Sequence, residues 1–178
     1  MSDVYFLDYD AKSATYDGSN IGWTLPGPMW RVRFGLQADV ISGDDGRPGI
    51  LGTLDGPSPR GAYFGPKFAL NGPANLLAVK PQFVFHPPQN VARNLCWIWF
   101  CESTKDAVYS FENVQLRPPN LRDARNVGTQ PNLEIRWAIS EHFLAALNLA
   151  GFITGTFLQQ SPPSKEIAFV NIGLTYRF

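Results

Sequence analysis

Trp30-Arg31-Val32-Arg33-Phe34-Gly35-Leu36-Gln37-Ala38-Asp39-Val40 is the stretch on which the fold turns. Every second residue is apolar: Trp30, Val32, Phe34, Leu36, Ala38 and Val40 share one face. Arg31, Arg33, Gly35, Gln37 and Asp39 share the other, so charge sits in the middle of the pattern. A period of two is the signature of an extended strand with two unlike faces. A run of about 11 residues is twice the usual strand length of soluble sheets and suits a tilted crossing of a bilayer.

The pattern recurs along the chain. From 127 to 139, Val127, Thr129, Pro131, Leu133, Ile135, Trp137 and Ile139 alternate with Gly128, Gln130, Asn132, Glu134 and Arg136. From 168 to 178, Ala168, Val170, Ile172, Leu174, Tyr176 and Phe178 alternate with Phe169, Asn171, Gly173, Thr175 and Arg177. Weaker strands are predicted over 5–11, 21–25 and 77–85. Residues 91–101 are aromatic-rich and ambiguous in facing, and 143–153 read as a strongly apolar strand despite the helix-like Leu144-Ala145-Ala146-Leu147. Short connections at 26–28, 86–90 and 140–142 alternate with long Gly-, Pro-, Ser- and Asp-rich ones at about 42–73, 102–124 and 154–165. Segregated loop lengths are the plan of an outer-membrane barrel.

Composition agrees. The 178 residues carry 15 Lys+Arg and 15 Asp+Glu, a net charge of zero that provides no basic excess for nucleic acid. Sixteen Gly and 15 Pro interrupt helices, while 13% aromatic content argues against disorder. The N-terminus Met1-Ser2-Asp3-Val4-Tyr5-Phe6 has no secretory leader pattern, which fits a cytosolic chain, a mature chain or a piece of a longer protein. The fold expected is all-β: an antiparallel up-and-down transmembrane β-barrel with about 8–10 strands present over 1–178, which the family resemblance described below makes a single partial barrel domain, part of a larger barrel. A soluble lipocalin-like barrel with a small-ligand pocket is the alternative, because alternation alone does not say which face is wet. Aromatics near strand ends (Trp30, Trp137, Tyr176, Phe178) favour lipid.

The block Arg31-Val32-Arg33-Phe34-Gly35-Leu36-Gln37-Ala38-Asp39-Val40-Ile41-Ser42-Gly43-Asp44-Asp45 resembles a strand and loop of the bacterial alginate export family. Gly61-Ala62-Tyr63-Phe64-Gly65, Gly72-Pro73-Ala74-Asn75-Leu76, Val127-Gly128-Thr129-Gln130-Pro131 and the ending Leu174-Thr175-Tyr176-Arg177-Phe178 are similar to it as well. The likeness runs from about residue 20 to the end and corresponds to the C-terminal part of the family's barrel. It implies a bacterial outer-membrane channel that passes an anionic polysaccharide outward through a basic lumen, with the lipid bilayer and the outer-membrane assembly machinery as partners. The terminal strand ending Tyr176-Arg177-Phe178 resembles the segment that this machinery recognises. Two departures stand out. Residues 1–17 resemble another strand set close to the next block, as an internal deletion would leave it, and Glu102 follows Cys101 where the family has an aromatic followed by Arg. A truncated, non-conducting remnant of an exporter is therefore a further reading.

With the apolar faces in lipid, Arg31, Arg33, Lys80, Arg136 and Arg177 project into the lumen, where rings of bases favour anions. Asp39 and Glu134 share that lumen and would pair with the bases; a salt-bridge ladder that stiffens the wall is the structural reading of the same charges. No enzyme, cofactor or metal site is expected. Asp44, Asp45 and Asp55 lack the spacing of a calcium loop, and His86 and His142 sit in turns with no second ligand in reach. Trp97, Trp99 and Phe100 read as packing against lipid or barrel neighbours before sugar stacking. Cys96 and Cys101, on opposite faces of one strand, are not placed to bond.

Overall fold

The computed structural model describes residues 3–7, 14–27, 31–43, 72, 74–87, 91–101, 106–110, 114–118 and 124–178. Its strands, in chain order, are β1 (Asp3–Leu7), β2 (Tyr16–Pro26), β3 (Arg31–Ile41), β4 (Leu76–His86), β5 (Val91–Cys101), β6 (Val108–Tyr109), β7 (Gln115–Arg117), β8 (Asn126–Ala138), β9 (Phe143–Thr154) and β10 (Ile167–Tyr176); one short helix, α1 (Thr156–Gln160), follows β9. Eight strands form one antiparallel sheet in the order β1-β2-β3-β4-β5-β8-β9-β10, while β6 and β7 form a separate hairpin. Each strand of the sheet pairs with its chain neighbour, except that the hairpin intervenes between β5 and β8. The all-β, up-and-down reading is correct, and the sheet is open: β1 and β10 are its edges.

The strand predicted over 5–11 lies at Asp3–Leu7, and its residues 9 and 11 fall outside the described residues. The segment around Ile21-Trp23-Leu25 is longer than its apolar residues suggest, because β2 extends back to Tyr16 through Asp17, Gly18, Ser19 and Asn20. Its polar half is held by full-length pairing with β3, from Tyr16–Ile41 to Pro26–Arg31. Leu144-Ala145-Ala146-Leu147 is strand, as expected. Several strands are 11 residues long. At about 3.3 Å per residue and a ~40° tilt, such a strand spans ~27 Å along the membrane normal, close to the ~25 Å apolar band of such barrels.

Pairing carries each residue type across the sheet. Trp23, Phe34, Phe83, Leu95, Leu133, Leu149 and Val170 form one row. These apolar residues are the exposed ones: Trp23 is 68%, Val170 63%, Ile172 79% and Leu174 67% accessible. On the opposite face Gln130 is 1%, Asn132 3% and Asn148 3% accessible. This arrangement inverts a soluble barrel, in which the apolar face would be covered, and sets the lipocalin-like alternative aside.

The polar face is not polar throughout. Ile41, Leu76, Ala78, Ile98, Phe100, Val108, Val127, Phe152 and Phe157 form a buried apolar cluster. It lies at the long-loop end, where α1 and the β6-β7 hairpin lean on the sheet. Val127, expected on the lipid side, belongs to this cluster. A β-bulge explains the reversal: Phe100 pairs with Gly128 and Cys101 with Asn126, leaving Val127 as the extra residue. A Cβ on Gly128 would stand 2.6 Å from the Phe152 ring and 2.6 Å from the Ile153 carbonyl oxygen, so glycine is what lets the bulge close.

The two faces predict opposite costs on the same strand. Ile172→Arg, near the middle of the apolar face of β10, should lower folding stability by about 2–4 kcal/mol, with little change for Asn171→Arg. Urea titration in phospholipid vesicles measures both; equal losses would contradict the assignment of faces.

Candidate functional site

Local pairing places the predicted site residues. Thr24, Arg33, Val84, Asn94, Glu134, Asn148 and Asn171 form one row of the polar face. Arg31 stands at the start of β3, opposite His86 of β4. Lys80 is opposite Gln37, half-buried in the wall. Arg136 pairs with Ala146 of β9, and Arg177 follows β10, its backbone N–H donating to the His142 carbonyl over 2.9 Å. All five bases therefore lie on or extend from the strands of one sheet, with Arg31, Arg33, Arg136 and Arg177 exposed and grouped toward the short-turn end.

The acids behave differently from each other. Asp39 is 2% accessible and sits near the long-loop end. Its carboxylate accepts hydrogen bonds from the Tyr16 hydroxyl at 2.8 Å and the Gln37 side-chain amide at 2.9 Å. It organises the wall beneath the apolar cluster. Glu134 receives both Nε and Nη2 of Arg136 on one oxygen, each at 2.8 Å. That ion pair joins two residues of the same strand, so it is not a rung between strands. With Arg136 63% accessible it contributes no more than about 1 kcal/mol. Arg33 lies back over β2: a Cβ on Gly22 would collide with its guanidinium.

Between these charges the wall is lined with amides that the sequence reading placed on strands without assigning them a role. Gln82 donates to Gln37 at 3.5 Å, Gln130 to Asn132 at 3.0 Å, and Asn148 to Asn171 at 3.3 Å. Asn94 and Asn148 each keep a buried side-chain oxygen with no hydrogen-bond partner among the described residues. The signal was available in the sequence: these amides occur at the same period of two as the bases.

The apolar face carries its own markers. Trp97 and Trp99 lie on it with ring centroids 6.4 Å apart, whereas Phe100 points the other way into the buried cluster. Arg93, ambiguous in sequence, pairs with Phe85 and Ile135 and so stands on the apolar face, three residues into β5 from the short-turn end. At that level a long basic side chain reaches the headgroups. Tyr176 packs on Phe143 at 4.9 Å, with Phe178 at 5.9 Å and the His142 ring at 5.9 Å. His142 Nδ1 lies 2.9 Å from the Arg177 carbonyl oxygen, so this histidine helps secure the C-terminal strand. Trp30, Asp44, Asp45, Asp55 and Glu102 lie outside the described residues. Among the described residues no group of three or more His, Cys, Asp or Glu is placed to hold a metal.

A sheet of membrane-length strands, exposed and apolar on one face, with long loops at one end, has the form of part of an outer-membrane β-barrel. Residues 10–170 match the family model described as alginate export, and the chain belongs to that family. The match begins about ten residues earlier than the resemblance seen in the sequence. No curated protein matched the chain. The family is one of outer-membrane polysaccharide exporters and not of enzymes, which gives this chain its general role and location.

Removing the Asp39 carboxylate takes away the acceptor used by the half-buried Tyr16 hydroxyl and the buried Gln37 amide. Asp39→Ala should cost about 1–3 kcal/mol of stability, while Arg136→Gln, which breaks an exposed pair, should change it by less than about 1 kcal/mol. Chemical denaturation of the two variants in detergent distinguishes them.

Proposed function

We propose that this chain forms a wall of a channel through which an anionic polysaccharide, or a smaller anionic solute, leaves the cell. The observation that carries this reading is the placement of Arg31, Arg33, Lys80, Arg136 and Arg177 with the sheet face opposite the lipid-facing one. Of the two acids on that face, Asp39 is buried and Glu134 is already paired with Arg136. The bases thus outnumber the acids left to answer them, and the net field attracts carboxylates.

Conduction requires closure. In the hydrocarbon layer the outer backbone groups of β1 and β10 need partners. We propose that further strands complete the barrel by pairing with these two edges, which distinguishes a working channel from the remnant reading. Eight strands in the sheet leave β1 and β10 antiparallel to each other, so an even number of added strands closes the ring in the ordinary way. The exposed terminal Phe178 and the neighbouring Tyr176 are proposed as the contact for the outer-membrane assembly machinery.

Two measurements test this. In planar bilayers the complete barrel should be anion-selective, and Arg33→Gln combined with Arg136→Gln should move the reversal potential toward cation permeation; an unchanged potential would contradict a base-lined path. Deleting Phe178 should lower the amount of protein reaching the outer membrane without altering the conductance of the molecules that do assemble.

A further inference from the structure

On the polar face of β2 and β3 two glycines stand opposite each other, Gly22 and Gly35. The pairs next to them on that face are Thr24–Arg33 on one side and Asn20–Gln37 on the other. Arg33 is thus the diagonal neighbour of Gly22, within reach of a long side chain. A Cβ on Gly22 would collide with Nη2 of Arg33 and would lie 2.6 Å from its Cζ and 3.1 Å from its Nε. These three are the nearest atoms to it, and all belong to one guanidinium. Similar distances from one point to successive atoms of a planar group mean that the face of the group lies over the glycine. An edge-on approach would separate them by whole bond lengths. At Gly35 a Cβ would meet Gln82 Cβ at 3.6 Å and the Ile21 carbonyl oxygen at 3.8 Å, which is ordinary contact. Of the two glycines, only Gly22 carries the arginine.

The orientation matters because the N–H bonds of a guanidinium lie in its plane. A face laid on the wall turns those donors along the wall and presents the opposite face to the space beyond. A carboxylate takes two parallel N–H bonds only when it meets the edge of the group. Seated in this way, Arg33 contributes its charge without its bidentate grip. Among the described residues no ion pair holds Arg33 in place. The missing Cβ of Gly22, and not a counter-ion, therefore decides where the group lies. Glycine inside a strand weakens it and packs nothing, and it often marks the close approach of another group. Here that group is the Arg33 guanidinium, reaching back from the next strand.

We infer that Gly22 is a positioning residue: it seats Arg33 flat on the wall, so that this base acts on a passing anion through its field and does not capture it. The effect on permeation rests on the channel reading; the seat itself does not. Two readouts keep them apart. Modification of Arg33 by phenylglyoxal, followed by mass spectrometry on the protein in detergent, reports access to the guanidinium edge. Gly22→Ala should speed it roughly threefold or more, and Gly35→Ala should leave it unchanged. The added Cβ meets the end of a flexible side chain first, so the Gly22→Ala protein should keep the urea midpoint of the unaltered one. In planar bilayers Gly22→Ala should move the reversal potential of the complete barrel further toward anion permeation, and the same change made in an Arg33→Gln barrel should have no effect. Arg33 reacting at the unaltered rate in Gly22→Ala, or a shift that persists in the Arg33→Gln background, would overturn the seat. So would loss of the folded barrel in Gly22→Ala, by showing that the backbone and not Arg33 requires the glycine. Faster Arg33 modification in a barrel whose potential ignores Arg33→Gln would support the seat while removing the channel reading.

Discussion

Inside a hydrocarbon layer a backbone N–H has no water to bond, so each must find a carbonyl within the protein. The antiparallel ladder from β1 to β10 meets that demand strand by strand, and most of the architecture follows from it. Ladder pairing aligns residues of like position across seven interfaces, so one choice of face on β3 propagates to β10. It turns a period of two in the sequence into two continuous surfaces, one of Trp, Phe, Leu, Ile and Val, the other of amides and bases. The single interruption, at Phe100/Cys101 against Val127, inverts the side on which one apolar residue emerges, and it does so where the channel face has turned apolar.

The channel face is consequently graded. Exposed arginines dominate near the short turns, interlocked amides occupy the middle, and the Ile41–Phe157 cluster fills the long-loop end. Asp39 sits at the junction of the last two zones, its carboxylate used by Tyr16 and Gln37. The charges thus differ in setting: Asp39 is buried and holds neighbouring side chains in place, whereas Arg31, Arg33, Arg136 and Arg177 stand exposed.

The strands and the alternation of loop sizes were legible because membrane-spanning strands must repeat apolar residues at every second position without a break. Arg31 to Val40 carries that rule in full, and β3 lies where it points. Facing failed to declare itself in 91–101, where Trp97 and Trp99 lie on the outer face while Ile98 and Phe100 meet the buried cluster, and where the polar residues Arg93 and Asn94 are neighbours that fall on opposite faces. Val127 was misplaced because a bulge depends on how two strands meet and leaves no mark in the period of one. The β6-β7 hairpin and α1 were not legible either; elements of two to five residues have no periodicity and exist through what they pack against. The bases were found by alternation alone, whereas the burial of Asp39 depends on Tyr16, 23 residues away in the chain.

The register has one more consequence. Thr24 and Arg33 lie two residues from a hairpin end, yet the row that starts there reaches Glu134 four residues before the end of β8 and Asn171 five residues before the end of β10. Successive strands are staggered, and pairing rows climb relative to the membrane plane as strands tilt. Arg33 and Glu134, mates on one row, therefore stand at different heights. A row of paired residues is therefore a ramp across the wall and not a level collar, and what is neighbouring in register is not neighbouring in depth.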